Sequence, residues 1–263
     1  MDLSPIIDQL TMISLPDIPV VEHGDDLADM VIQSVGGLGM ELVEGDILVF
    51  AQKIISKSEG REVSLHNIVP SSIASELAKI VDKDPRLIEV ILDESKEVVR
   101  HRSGLIIVEN KNGLVLANAG IDMSNVRQTE GDTVLLLPNN PDESAANLRD
   151  EVMRRNGIRV GVIINDSLGR AFRNGTTGTA IGVAGLPALT DLSGKADLFG
   201  RKLQVTQVGV ADELAAGASL LMGQAAEGRP IVLVRGFASG HPAGSARELV
   251  REKEQDLFRD PKQ

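Results

Sequence analysis

Residues 162–175 read VIINDSLGRAFRNG: an apolar run reaches Asn165, Asp166 and Ser167, then passes into a stretch holding two glycines and two arginines. The apolar run predicts a buried strand, and the polar residues after it predict a loop at the strand's end. Directly upstream, PDESAANLRDEVMRRNG (141–157) starts on a proline and stops at a glycine, which predicts a helix with Ala146, Leu148, Val152 and Met153 on its inner face. It leads straight into the strand RVGVIIND.

Downstream the alternation continues. KLQVTQVGV (202–210) reads as a strand, ADELAAGASLLMG (211–223) as a small-residue helix with Met222 in its core face, and RPIVLVRG (229–236) as a strand. Upstream, LPDIPVVEHGDDLADMVIQSV (15–35) predicts a short strand and turn before a helix. EGDILVFAQKIISKSEGR (44–61) predicts a strand over Ile47–Phe50 that ends in a polar, basic segment. SSIASELAKIVDKDPRLIEVILDESKEVVRH (71–101) has helical periodicity broken at Pro85, so two helices are expected. Strands at Leu105–Glu109 and Leu114–Ala117 flank KNG, a hairpin signal. Strands alternating with helices predict a mixed α/β (α+β) layered fold. No repeat or linker interrupts it, so residues 1–263 are read as one region, with room for two subdomains. The charged C-terminal SARELVREKEQDLFRDPKQ is expected to be a surface or partner-facing helix.

Composition removes several classes of function. The chain has no cysteine, so disulfides, thiolate metal sites and cysteine nucleophiles are excluded. A formal net charge of −11 and an aromatic content of 2% argue against nucleic-acid binding, which needs surplus cations and stacking platforms. There is no basic, apolar leader and no run near the roughly 20 apolar residues of a membrane helix. A cytoplasmic protein with no membrane association is expected.

Two strand ends carry polar clusters. GLVLANAGIDMSNV brings Asn118, Asp122, Ser124 and Asn125, and the opening stretch brings Asn165, Asp166 and Ser167. Sparse oxygen ligands of this kind suit Mg²⁺ or Mn²⁺ shared with substrate phosphates, but the same residues also cap helices and close turns. Lys53, Lys57, Arg170 and Arg173 could hold anions, or could simply be solvated. The glycines of GRAFRNGTTGTAIGVAG admit a ligand to the backbone, or serve turns and close packing. No GxxxxGK[ST], GxGxxG or GxSxG pattern stands in a suitable context, and His23, His66, His101 and His241 show no ligand spacing.

The ordered series GDDLA, ISKSEGR, NAGIDMSNV, LLLPNNPDESA, GVIINDSLGRAFRNG, AIGVAG, VTQVGVADELAAGASLLMG and VLVRG, over residues 15–237, resembles the coenzyme F420-0:gamma-glutamyl ligase family. The resemblance implies a mixed α/β fold in an intertwined homodimer, without the nitroreductase-like extension that some members carry. It also implies an enzyme that uses GTP and two divalent ions, Mg²⁺ or Mn²⁺, with K⁺ as a further candidate. That enzyme joins L-glutamate to F420-0 by an amide bond, then adds a gamma-linked second glutamate. By the resemblance, Asp122 and Asp166 are catalytic and ligate the first metal, while Ser167 and Gln207 ligate the second. Ile18, Pro19, Val20, Val21 (read as a strand), Gln52, Lys53, Lys57, Asn125 and the segment Thr206, Gln207, Val208, Gly209, Val210, Ala211, Asp212 and Glu213 match GTP-binding positions. Some members place a glutamate where this chain has Gln207 and Val208, and the lost charge is expected to weaken the second metal. Rival readings are a divergent acid-amine ligase, a metal-dependent phosphatase and a non-catalytic nucleotide-binding homologue. Arg170, Arg173, Arg201 and Arg235 are candidates to touch the deazaflavin.

Overall fold

The computed structural model describes residues 9–124 and 132–258. In chain order the elements are β1 (Thr11–Ser14), α1 (Leu27–Gly37), β2 (Ile47–Ala51), α2 (Gln52–Ser58), β3 (Glu62–Ser64), α3 (Ser72–Val81), α4 (Pro85–Asp93), β4 (Ser95–Arg102), β5 (Leu105–Asn110) and β6 (Val115–Ala117). They continue as β7 (Thr133–Leu135), α5 (Pro141–Asn156), β8 (Gly161–Arg170), β9 (Arg173–Ala184), β10 (Thr190–Asp191), β11 (Gln207–Val208), α6 (Val210–Met222) and β12 (Ile231–Arg235).

A mixed five-stranded sheet, ordered β1-β12-β2-β8-β9, organises the molecule, with β2 and β8 as its parallel pair. Both faces of its central strands are covered, so they alternate between two apolar cores. Leu48, Phe50, Val162 and Ile164 face α1 and α5, which contribute Leu27, Val31, Val35 and Val152. Val49, Ile163, Val232 and Val234 face α6 through Leu214, Ala215 and Ala218. This period-two division explains why ILVF and VII read as unbroken apolar runs. A third core lies outside the sheet, where α3 and α4 cover the β4-β5-β6 sheet and β7 through Ala78, Ile88, Ile91, Ile106, Val108 and Val134.

The helix boundaries follow local chemistry. Asp26 caps α1 by accepting from Asp29 N, and Asp84 caps α4 with Pro85 at its first position. α5 stops at Gly157, whose φ of +70° is left-handed. α5 and α6 press against β9 at Gly182 and Gly178: a Cβ on Gly182 would collide with the Pro141 carbonyl, and one on Gly178 with the Ala215 carbonyl. Those two glycines therefore serve close packing, not ligand access.

Several expectations are corrected. The loop expected after Asp166 is a continuation of β8 to Arg170, hairpinned onto β9, because the alternating small and polar residues beyond the core still satisfy a ladder. SKEVVRHR is a strand and not the end of a helix: Val98 pairs with Val108 of β5, Val99 sits at a bulge, and tertiary pairing overrides a pattern that fits either state. The strand expected at Ile18–Val21 is an unpaired segment, since Pro16 and Pro19 lack donors and Asp17 has a φ of +57°; the edge strand is instead β1. KLQVTQVGV yields only the two residues of β11 before α6 begins at Val210. On α5 the buried positions include Ala145 and Val152, whereas Met153 is exposed. Among the described residues the C-terminal segment has two short 3-10 turns, at Ala246–Leu249 and Lys253–Gln255, instead of a long helix. Asp142 Oδ1 accepts from Ala246 N and holds the first of these against β9, whose Val183 N donates to the same oxygen.

Candidate functional site

The site forms where β2 and β8 end side by side. Their parallel register pairs Ala51 with Asn165, so α2 starts level with Asp166 and its first turn presents Lys53 toward it. At the same level β8 steps out of register against β9: Ile164 pairs with Gly182, but Asn165 pairs with Ala180. This bulge leaves Ile181 unopposed and re-aims the strand as it leaves the core. Asp166 is thus held within a long hairpin at the place where its surroundings change from apolar core to cavity.

Asp122 arrives from elsewhere in the chain. It follows a turn in which Asn118, Ala119 and Gly120 all have left-handed φ values, 52°, 56° and 75°. A two-residue bridge then fixes it to Leu135: Asp122 N donates to Leu135 O at 3.0 Å, and Leu135 N donates to Asp122 O at 2.8 Å. Two non-glycine residues in that conformation cost free energy, and such costs cluster at functional positions. The side chain is equally constrained. Asp122 Oδ1 accepts from Ser124 N at 2.6 Å, and Oδ2 lies 2.8 Å from Lys53 Nζ, which also donates to Ser124 Oγ at 2.7 Å.

The electrostatics separate the two carboxylates. For Asp122, desolvation works to raise the pKa, but the Lys53 hydrogen bond, the Ser124 amide and the Lys53 charge outweigh it and hold it below the ordinary carboxylate value. Asp166 is pushed up to about 6, chiefly by desolvation and further by the Asp122 charge; the Ser167 amide and Lys53 act in the opposite direction. Part of the residue's surface still opens on the cavity, yet the packing around its carboxyl withdraws most of its water. Each carboxylate raises the other's cost of ionisation, and the Lys53 charge offsets part of that cost at both. Among the described residues no group of three His, Cys, Asp or Glu forms a closed metal cage. Two carboxylates with Ser167 nearby suit a hard divalent ion that completes its shell with phosphates and water.

These groups line a cavity of about 630 Å³, together with the Ile18–Val21 segment, Gln52 and Lys57. The structure therefore brings Asp122, Asp166, Ser167, Ile18, Pro19, Val20, Val21, Gln52, Lys53 and Lys57 together. The Gln52 side chain points inward, donating to Ser56 Oγ and Leu136 O, so it anchors α2 beneath the cavity. Asn125 lies outside the described residues. The segment Thr206–Glu213 is not on this cavity wall. It spans the start of α6, whose other end, at Met222 and Gly223, is the part that lines the cavity. Gln207 instead donates to Asp191 Oδ2 across the β10-β11 pair, at 3.4 Å. Asp212 Oδ1 accepts from Ala180 N and ties α6 to β9; burial raises its pKa.

The arginines singled out in the sequence lie elsewhere. Arg235 grips the buried Asp46 through two hydrogen bonds, at 2.8 and 2.7 Å, and is structural. Arg170 and Arg173 face each other at the exposed tip of the β8-β9 hairpin. Arg201 sits in the turn around Asp197. The cavity's far wall, which the sequence reading passed over, is the loop 223–230, GQAAEGRP, ending in Arg229 and Pro230. The sequence marks it as a turn, with Gly223 and Gly228 between a helix and a buried strand, but gives no sign that it lies beside Lys53 at the start of α2.

A family model described as "F420-0:Gamma-glutamyl ligase" matches residues 17–236. The chain is 45% identical over 246 residues to a protein of Methanocaldococcus jannaschii, covering 93% of this chain and 95% of that one. It is 44% identical over 252 residues to one of Methanothermobacter thermautotrophicus, covering 95% and 99%. A third, from Methanococcus maripaludis, is 48% identical over 218 residues, covering 83% and 86%. Each of the three is named "Coenzyme F420:L-glutamate ligase". Among the described residues no helix is long and apolar enough to cross a membrane.

Proposed function

This chain belongs to the F420-0:gamma-glutamyl ligase family and is a ligase, and from that premise we propose that it joins L-glutamate to F420-0 at the expense of GTP. The observation that carries the proposal is the convergence of Asp122, Asp166 and Lys53, from three separate parts of the chain, on one cavity.

Asp122 and Asp166, with Ser167, are the residues that would hold a divalent ion, which when bound neutralises triphosphate charge and orients the γ-phosphate. Lys53 changes partner on binding: the ammonium that offsets Asp122 in the free protein turns to phosphate oxygens. Lys57, one helical turn further along α2, adds a second ammonium on the same side.

The chemistry proceeds in two displacements. An oxygen of the F420-0 carboxylate attacks the γ-phosphorus, the bond to the bridging oxygen breaks, and GDP leaves an acyl phosphate. The glutamate nitrogen, as the free amine, attacks the acyl carbon. The C–O bond to phosphate breaks, phosphate leaves, and the nitrogen loses a proton. The cavity's contribution is to hold the three reactants in line and to exclude the water that would hydrolyse the acyl phosphate.

A homodimer completes the proposal. Leu198, Phe199 and Val205 are almost fully exposed beside the β10-β11 pair, an apolar surface suited to a second copy. In such a dimer we place the Thr206–Glu213 segment of one copy at the cavity of the other. The deciding assay combines GTP, Mg²⁺ or Mn²⁺, L-glutamate and F420-0, then omits each in turn, with mass spectrometry of the deazaflavin. A glutamyl adduct that needs all four supports the proposal. Phosphate release without glutamate and F420-0 would make the protein a phosphatase, and GTP-dependent thermal stabilisation without turnover a binding protein.

A further inference from the structure

We infer that Arg229 is the residue that holds the side-chain carboxylate of the incoming amino diacid. The inference rests on the ligase reading above and names its acceptor subsite.

Three cations stand on the cavity wall, Lys53, Lys57 and Arg229. Lys53 is engaged by Asp122 and Ser124, and Lys57 also has a partner. Arg229 makes no hydrogen bond or ion pair among the described residues, although its neighbour Glu227 feels its charge. Glu227 is itself turned back on the loop, accepting from Ala225 N at 2.8 Å, which leaves the guanidinium fork open to a ligand.

The backbone at Arg229 is well anchored. Pro230 O accepts from Ala51 N at 2.8 Å, and Ile231 pairs with Phe50, so Arg229 projects from the start of β12 beside the end of β2. Strand order then fixes the lateral arrangement: β12, β2 and β8 are neighbours, so Arg229, Lys53 and Asp166 stand in a row across three strand ends. Two strand spacings, about 10 Å, separate the first from the last. A five-carbon amino diacid and an arginine side chain together fill such a gap, with the amine toward Asp166 and the distal carboxylate on the guanidinium.

Chemistry distinguishes the acceptor from the other anions. The F420-0 carboxylate loses its charge on becoming an acyl phosphate, and the triphosphate lies with the lysines and the paired aspartates. The acceptor's side-chain carboxylate stays ionised throughout. A permanently charged, bidentate donor matches that group better than an ammonium does.

The test is steady-state kinetics of wild type, Arg229→Ala and Arg229→Lys, with L-glutamate and L-glutamine as acceptors and GTP varied separately. In Arg229→Ala, KM for glutamate should rise about 10- to 100-fold, the loss expected for a charge-assisted pair. KM for GTP should stay within about twofold, which also shows that the variant is folded, and the preference for glutamate over glutamine should shrink by a similar factor. Arg229→Lys should fall between. An unchanged KM for glutamate, or a rise confined to GTP, overturns the inference and leaves the ligase reading standing. Wild type that ligates no acceptor would remove both.

Discussion

Lys53 Nζ lies 2.8 Å from Asp122 Oδ2, so one ammonium links the helix that begins at the end of β2 to a loop about seventy residues later in the chain. The pair is only partly exposed, with the lysine at 29% and the aspartate at 36%. Both partners are thus open to the cavity. On the proposed reading, a phosphate entering the cavity would give the lysine a second anion to pair with in place of Asp122. Lys53→Met should leave the protein folded and lower kcat/KM for GTP about 10- to 100-fold, the usual effect of losing one charged hydrogen bond. Lys53→Arg, which keeps the charge but not the compact ammonium, should recover part of the loss.

Asp166 is expected to make the metal-free protein less stable as pH rises. Its folded pKa is raised to about 6 from the ordinary 3.8, so the folded state retains a proton that the unfolded chain has already released. Below the unfolded value both states are protonated and nothing is lost. Between about pH 4 and pH 6 stability should fall, by at most about 3 kcal/mol, and then level off. Asp166→Asn should abolish that fall and raise the stability of the metal-free protein near neutral pH, while eliminating ligation and the stabilisation by Mg²⁺ or Mn²⁺. Urea melts in chelator at several pH values check the sign, and a wild-type curve rising over that interval would refute it.

The glycines of β9 give a purely steric prediction. A Cβ on Gly182 has nowhere to go, because the Pro141 carbonyl at the start of α5 already occupies its position. Gly182→Ala should push α5 off the sheet and cost about 1–3 kcal/mol or more. Gly175→Ala should do less: its Cβ would meet nothing within 4 Å, and the penalty is only that of a left-handed φ of +84° at the exposed start of β9. Thermal melts of the two variants should rank in that order.

The layered fold was legible in the sequence because its elements carry unambiguous local signals. Asp84 and Pro85 start α4, Gly157 stops α5, and the runs at Ile47–Phe50 and Val162–Ile164 fit nothing but buried strands. What was not legible was set by pairing partners. Val98 and Val99 suit a helix end as well as a strand until β5 lies beside them, and Ser167–Arg170 remains a strand only because β9 supplies its ladder. At the site, Asp122 and Asp166 could be suspected from their strand ends, but their meeting depends on the β2-β8 register and on the Leu135 bridge, neither of which has a local signature. Arg229 stands in a loop with no residue pattern around it, and the partner that holds Arg235, Asp46, is distant in sequence.

The separation of Thr206–Glu213 from the cavity allows a decisive test of the proposed dimer. On α6 the segment's last residue, Glu213, stands nine positions before Met222, about 14 Å from the cavity lip. If the segment serves nucleotide binding across subunits, each site is shared between two chains. Asp166→Asn and the exposed Glu213→Ala should then each be inactive or severely impaired as pure proteins. Co-folded in equal amounts, they should recover activity, because a mixed dimer has one site with both residues intact. Random assortment makes half the dimers mixed, each with one good site, so about one quarter of wild-type activity is expected. If instead each chain carried a complete site of its own, every site in the mixture would retain one defect and no activity would return. Recovery should also disappear when Phe199 is changed to Asp in both chains, because a charge on that almost fully exposed apolar surface would block the association that recovery needs.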